Sequence, residues 1–472
     1  MNPTKRLLVI SLVLAAVNGC AMQRYRRAPI SPSETASRLE SRNLQGAGLR
    51  VFWEKNLGHP PSSWPLKSWD LGSLTLAAFY FSPEMDIARA QASAANAAVI
   101  TAGARPNPTL SLKPGIPSPY LFDLSFAMPI QTAGKRGYQI LEAKSLSEAA
   151  RFSLASTAWK VRSSVRAALV NYLVAIRSAD QLRSQESVLS DRVQLLQKRL
   201  DVGEISRPEV DLARIDLANT RLAVLSAATQ ISRDRSLLAA AIGIPVSALN
   251  GVEFSWPSFD SPPNPDSLSR QQIQREAVLN RLDVRGALAT YAAAEASLQL
   301  EIARQYPDIQ IGPGYTYEEG NSFFTLGLST TLPIFNRNQG PIAQAEARRK
   351  EAAAKFLAAQ ARVIAESETA SALYSGAWKE LTEAERVLEL YGSKVQLAEN
   401  TFKAGESGPL PVNSELLGSA LAASAKLAAL SRAQAALGSL EDAIERPLEP
   451  GDILPLSPDS PALKNHAKEE KR

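Results

Sequence analysis

The chain has 472 residues, and 52 Lys and Arg stand against 47 Asp and Glu, a net charge of +5. That surplus is too thin over such a length to mark a nucleic-acid binder. One cysteine (Cys20) and two histidines (His59, His466) exclude an intrachain disulfide, a Cys-based zinc site and histidine relays. No catalytic group, metal or cofactor is expected, which leaves binding, scaffolding or transport. Hydrophobic residues make up 45% of the chain, enough for a sizeable core, and length alone suggests about three ordinary domains.

Residues 1–19 read as an export signal. Lys5 and Arg6 precede the apolar run Leu7–Val17, which is too short for the ~20 helical residues of a membrane span but suits a signal core. The run ends in Val17-Asn18-Gly19-Cys20, which resembles a bacterial lipoprotein box, with Cys20 as the acylated first residue. Cleavage without lipid is the alternative. Ala21 follows the cysteine where the inner-membrane retention signal of that pattern would have Asp.

The rest of the chain repeats itself after about 200 residues. The segment from Pro83 through the Ala-rich run to Arg105 answers to the segment from Leu282 to Arg304. Pro108 answers to Pro307, Leu110 to Ile309, Pro129 to Pro333, Glu142 to Glu346, Phe152 to Phe356 and Gly203-Glu204 to Gly405-Glu406. Two copies of one unit replace three domains. The divisions are a lipid-anchored N-terminal and equatorial segment over 20–82, a first repeat over 83–245, an equatorial linker over 246–281, a second repeat over 282–446 and a Pro-rich tail over 447–472, disordered at its end.

Each unit opens with an Ala-rich helix, over 83–105 and 282–305, ended by Pro106 or Pro307. A strand hairpin follows, over 108–131 and 307–335. Leu110 and Leu112, then Phe122, Leu124, Phe126, Met128 and Ile130, alternate with small or polar residues. So do Ile309, Ile311, Tyr315 and Tyr317, then Phe324, Leu326, Leu328 and Leu332. Alternation over so many residues with aromatics near the ends is the pattern of membrane β-strands. A soluble hairpin with one covered face has the same alternation, but two such hairpins at matching positions of an exported chain favour the membrane. Four strands cannot close a barrel, which needs about eight, and an open edge in lipid leaves backbone groups unpaired. Spanning a bilayer therefore requires several chains to share one barrel.

Long helical stretches come next, over 135–200 and 339–404, nearly free of Gly and Pro. In the first, Ala158, Val161, Val165, Ala168, Tyr172, Ala175, Ala179, Leu182, Leu189, Val193, Leu196 and Leu200 form a coiled-coil seam, interrupted by Glu186. Such a helix is a rod of roughly 100 Å. Gly203-Glu204-Ile205-Ser206 and Gly405-Glu406-Ser407-Gly408 turn each rod back into a return helix, over 207–242 and 412–445, so that the helical hairpins occupy 135–243 and 339–445. Pro/Ser-rich stretches at 59–73 and 255–267 read as irregular packing around the rods, with Trp53, Trp64 and Trp69 as its anchors.

In this order of parts the chain resembles the TolC-type outer-membrane efflux proteins, in the CusC/CzcC-like branch that works with inner-membrane RND pumps. The residues carrying the resemblance are Ala104-Arg105-Pro106-Asn107-Pro108-Thr109-Leu110, Met128-Pro129-Ile130-Gln131-Thr132-Ala133-Gly134-Lys135-Arg136 and Leu332-Pro333-Ile334-Phe335-Asn336-Arg337-Asn338-Gln339-Gly340. It covers residues 70–445. The resemblance implies an α+β membrane protein whose long coiled-coil α-hairpins and four β-strands per chain assemble as a homotrimer, with a twelve-stranded β-barrel in the outer membrane and a periplasmic α-helical tunnel. It implies a periplasmic adaptor and an inner-membrane pump as partners, outer-membrane lipid around the barrel, a lipid anchor at Cys20 and no nucleic acid.

Position by position, it places adaptor docking at the tips Gly203, Ser206, Gly405 and Ser407. The strand-to-helix passages are Pro129, Gly134, Pro333, Asn336, Asn338 and Gly340. The periplasmic aperture falls to Glu209, Asp211, Asn413 and Glu415, where three copies of a carboxylate around a narrow axis would favour cations. The same acids also suit the first turns of helices, where the dipole favours negative charge. Gly408-Pro409-Leu410-Pro411 departs from an uninterrupted helix start at the second tip. The cargo stays open between metal cations, toward which the branch leans, and drugs. The remaining alternative is a tethered coiled-coil scaffold with no pore.

Overall fold

The computed structural model describes residues 24–58, 60–61, 63–115, 121–267 and 269–448. Cys20, its signal segment and the tail from 449 onward lie outside them. The chain divides into two compact units, Met1–Arg42 and Asn43–Arg472. In the first, helix α1 (Pro32–Glu40) starts with Pro at its N-terminus and carries no buried side chain. Everything that follows concerns the second.

That unit runs through α2 (Ala47–Leu57), β1 (Ser68–Trp69), α3 (Leu71–Phe81), α4 (Pro83–Ala102), β2 (Thr109–Pro114), β3 (Leu121–Ile130), α5 (Lys135–Asp201) and α6 (Arg207–Ile242). It continues through β4 (Glu253–Phe254), α7 (Arg270–Asn280), α8 (Leu282–Ala303), β5 (Ile309–Glu318), β6 (Asn321–Thr330), α9 (Gln339–Lys403) and α10 (Pro409–Ile444). Helices α5 and α9 are 67 and 65 residues long and unbroken, each about 100 Å at 1.5 Å per residue. Along α5 the seam residues Ala158, Val161, Val165, Ala168, Ala175, Ala179, Leu189 and Leu196 are buried. Glu186, the break in the seam, reaches across to Arg221 of α6 at 3.0 Å.

Strands β2, β3, β5 and β6 form one antiparallel sheet in the order β2-β3-β5-β6. The two hairpins meet through β3 and β5, with Phe122 opposite Tyr317, Leu124 opposite Tyr315 and Met128 opposite Ile311. Gly312 is required here: a Cβ on it would collide with the Phe126 carbonyl oxygen of the neighbouring strand. Glu319 and Gly320, both at positive φ, make the two-residue turn between β5 and β6.

Of the two segments that read as irregular, 255–267 is irregular apart from one 3₁₀ turn at Pro265–Ser267, whereas 59–73 carries regular structure from Ser68 onward. The capped helix α3 begins at Leu71, where Asp70 accepts from the Ser73 N–H at 2.8 Å. Its sequence is apolar all round, so it shows no helical period, and it is buried accordingly. Short strands β1 and β4 pair in parallel, Ser68 with Glu253 and Trp69 with Phe254. Trp69 stands edge-on to Trp53 at 6.4 Å and to Trp64 at 6.3 Å.

The first hairpin is tied to the second through a buried ionic junction between α5 and α10. Arg162 donates to Glu441 at 3.0 Å, and Arg166 approaches the same oxygen at 3.2 Å. Arg166 also donates to the backbone and side-chain oxygens of Gln434, whose amide donates to the Phe259 carbonyl at 2.7 Å. Gly438 leaves the slot that the Arg166 guanidinium fills, since a Cβ there would lie 2.5 Å from its nitrogen. Trp159 and Ser163 donate to Asp442 at 2.8 and 2.7 Å. Glu441 is fully buried and serves two cations at once. Glu441→Ala would strand both guanidiniums without a carboxylate, and we expect a loss of about 3–5 kcal/mol in denaturant unfolding of the detergent-solubilised protein. A loss below about 1 kcal/mol would mean that water replaces the carboxylate.

Candidate channel wall and hairpin tips

The sheet has two chemically distinct faces. The register puts Leu110, Leu112, Phe122, Leu124, Met128, Ile130, Ile309, Ile311, Tyr315, Tyr317, Phe324 and Leu328 on one side. Ser111, Lys113, Asp123, Ser125, Gln310, Gly312, Gly314, Thr316, Thr325, Gly327 and Ser329 alternate with them on the other. The apolar face is uncovered in this chain: Phe324 is 85% exposed, Leu326 77% and Leu328 73%. A soluble monomer does not leave an apolar surface of this extent bare. Strands β2 and β6 are open edges, bonded on one side only. Among the described residues no helix is long and apolar enough to cross a membrane.

The two strand-to-helix passages are built alike. Gly134 precedes α5 at φ +72°, and Asn338 precedes α9 at φ +62°, so each long helix is entered through a left-handed residue. Asn tolerates this conformation better than other side chains. Its amide also gains a partner, donating to the Glu301 backbone at 2.7 Å and its carboxylate at 2.8 Å. Asn336 accepts from the Asn338 N–H at 2.8 Å. Pro129 lies past the last β2 partner of β3, where that strand is paired on one side only. Pro333 follows the end of β6, and Gly340 opens α9 with free space around it.

At the first passage the buried Lys135 ammonium donates to Asp308 at 2.6 Å and to the Tyr306 carbonyl at 2.5 Å. Partial burial opposes ionisation of Asp308, but Lys135 and the Thr132 N–H hold its carboxyl below the usual carboxylate range. The sequence names Lys135 only as part of a motif. Its partner lies in the other repeat, a distance that no local pattern bridges.

The tips are also alike. Gly203 (φ +78°) and Gly405 (φ +76°) take left-handed turns at the ends of α5 and α9. Glu204 and Glu406 then donate backbone N–H bonds to Arg199 and Thr401 carbonyls, at 2.9 and 3.0 Å. Ser206 caps α6, and Glu209 Oε1 accepts from the Ser206 N–H at 3.2 Å and its hydroxyl at 2.9 Å. Ser407 lies 3.4 Å from the Thr401 hydroxyl. Pro409 sits in the first turn of α10, where no N–H is missed, so the Pro-rich start of that helix is accommodated without a break. Leu410 packs on the first tip, against the cluster of Leu196, Val210 and Ala213.

Of the four aperture candidates, three are accessible in this chain and one is not. Glu209 is exposed but engaged with its own cap. Asp211 is half-exposed and pairs with Arg214 at 3.2 Å. Glu415 is partly exposed on the first turns of α10. Asn413 is turned inward: it is buried, and its amide donates to the Val188 carbonyl of α5 at 2.8 Å. Burial in the seam between α10 and α5 takes it off the surface where an aperture residue would stand. Among the described residues no group of three His, Cys, Asp or Glu could hold a metal ion.

A four-stranded sheet continuous with two rod-length helical hairpins recurs in solved outer-membrane channel proteins. It superposes on the outer membrane protein VceC of Vibrio cholerae with a TM-score of 0.64, covering 80% of this chain and 97% of that one at 20% identity. On CusC the TM-score is 0.63, with 82% and 95% covered at 16% identity. Residues 273–444 match the model of the outer membrane efflux protein family. A curated relative, the cobalt-zinc-cadmium resistance protein CzcC of Cupriavidus metallidurans, is 25% identical over 233 residues, 49% of this chain. The chain spans about half of that relative's length, 54%. The fold is that of solved outer-membrane channel proteins.

Loss of the Ser206 cap tests the tip. Ser206→Ala should cost the first turn of α6 about 1 kcal/mol, seen as faster amide exchange over residues 206–212. Unchanged exchange there would show that the turn is held by Glu209 and Gly203 alone.

Proposed function

We propose that this chain is the exit duct of a tripartite efflux system and passively conducts what an inner-membrane pump delivers through a periplasmic adaptor. The observation that carries the reading is the sheet with one bare apolar face and two open edges. In lipid each unpaired edge group costs several kcal/mol, and β2 and β6 can be satisfied only by the β6 and β2 of other copies. Three copies of four strands close a barrel of about twelve, large enough for a lumen. The polar face, with its glycines and serines, then lines the water-filled side.

In this reading α5–α6 and α9–α10 of the three copies form the periplasmic tunnel. The adaptor docks at the tips, at Gly203, Ser206, Gly405 and Ser407. Asp211 and Glu415 ring the aperture, Glu209 caps its helix and Asn413 holds the seam. Cys20 carries the lipid anchor. The cargo we assign is heavy-metal cations and the pump an RND type, supported by the relationship to CzcC, whose name records cobalt, zinc and cadmium. The ring acids suit cations as well.

In planar bilayers the purified protein should give discrete conductance steps, enlarged in Asp211→Asn/Glu415→Gln. If neither form conducts, the scaffold reading takes its place. Deleting the gene should sensitise cells to cobalt, zinc or cadmium, whereas sensitisation to drugs alone would reassign the cargo.

A further inference from the structure

The two strand hairpins answer to each other in their pairing as well as in their sequence. Leu112 stands opposite Leu124 in the first, and their counterparts Ile311 and Leu328 stand opposite each other in the second. The correspondence is the one in which Leu110 answers to Ile309 and Pro129 to Pro333. Between the hairpins lies a junction of another kind, where the second strand of one repeat meets the first strand of the other. Within the chain that junction is β3 on β5, with Met128 opposite Ile311 and Ile130 opposite Ile309.

At this level the repeats differ. Strand β3 runs on to Ile130, although β2 accompanies it only as far as Ala127, opposite Thr109. Met128, Pro129 and Ile130 are strand because β5 lies beside them. Their counterparts in the second repeat are Leu332, Pro333 and Ile334, and β6 stops short of these at Thr330, opposite Ile309. Among the described residues no strand lies beside them. Leu332 is 69% exposed and Ile334 65%, and the Ile334 N–H turns back to the Leu332 carbonyl at 2.9 Å. Yet both keep the spacing of Leu326 and Leu328, so the apolar alternation runs past the end of the strand.

We infer, resting on the reading of this chain as one share of a common barrel, that residues 331–334 are the unfinished end of β6. They become strand against β2 of a second copy, in the register of the β3–β5 junction. Putting each residue's counterpart into that junction sets Leu332 opposite Leu112 of the next copy and Ile334 opposite its Leu110. Apolar side chains then meet on one face, which a slip of one residue would prevent. A slip of two would keep the faces, so the alternation leaves the register open and the internal junction fixes it. The lock beneath the pairing has a counterpart too. Within the chain Thr132 donates its N–H to Asp308 at 3.1 Å and its hydroxyl to the Pro307 carbonyl at 2.7 Å. At the seam Asn336 takes the place of Thr132, and Pro108 of the next copy that of Pro307. The Asn336 oxygen is engaged by the Asn338 N–H, which leaves its amide nitrogen as the donor for that carbonyl.

Disulfide trapping in the detergent-solubilised full-length protein tests this, with the wild type, whose only cysteine is Cys20, as background. On mild oxidation Leu112→Cys/Leu332→Cys and Leu110→Cys/Ile334→Cys should convert most of the chain to covalent dimers and trimers that reduction dissolves. Leu110→Cys/Leu332→Cys and Leu112→Cys/Ile334→Cys are displaced by about 7 Å along the strand, beyond disulfide reach, and should stay at the wild-type level. The same four substitutions serve in both sets, so a folding defect does not mimic the difference. Links from the displaced pairs, at equal or higher yield than from the matched ones, would overturn the register and leave the shared barrel standing. So would a protein that runs as an oligomer in native mass spectrometry and links through neither set. A protein that runs as a monomer would bring down the shared barrel itself.

Discussion

The structure depends on one constraint: a backbone hydrogen bond has to be made somewhere, and in lipid it can be made only with protein. One chain supplies a four-stranded sheet, apolar on one face and polar on the other, with unsatisfied donors and acceptors along β2 and β6. Water would satisfy those edges but not the bare face of Phe324, Leu326 and Leu328. Lipid would satisfy the face but not the edges. In the proposed assembly further copies of the same chain would satisfy both, and the sheet would be a share of something larger.

Below the sheet the requirement changes from closure to length. Two helices of more than sixty residues cannot be stabilised by propensity alone. Each is held by lateral packing of small seam residues, with a return helix on one flank and elements of its own or the other repeat on the other. Where α5 meets α10 the contact is ionic, Arg162 and Arg166 against Glu441. Buried charges of this kind add little net stability, but a wrong register would leave them unpaired. That is a way of fixing how far one rod slides against another, which apolar side chains of similar size specify poorly.

The duplication shows which positions the architecture constrains. Left-handed residues recur at the tips as Gly203 and Gly405 and at the helix entries as Gly134 and Asn338. They recur again at the return-helix ends as Gly243 and Glu445. The backbone conformation is shared, while the residue that supplies it differs wherever a side chain has found a partner. Asn338 reaches Glu301, and Glu445 reaches Leu282. The copies have kept the turn geometry and diverged in what they attach to it.

Much of this was legible in the sequence because the signals are local and periodic. Alternation of two marked the strands, the 3-4 spacing marked the rods, and Gly between them marked the tips. Helix α3 was missed because a segment apolar on every side has no period to read, and α7 because it lies in a polar stretch without one. Asn413 looked like an aperture residue from its place after the tip, yet it faces α5, since position along a helix does not reveal which neighbour covers it. By itself the sequence determined the duplicated parts, their order and lengths, and the residues that turn the chain. Only the tertiary structure decided that β3 lies beside β5, that Lys135 meets Asp308, that Glu441 serves two arginines and that Glu445 caps α8. Periodicity says that a face is covered; which distant segment covers it is settled when the whole chain packs.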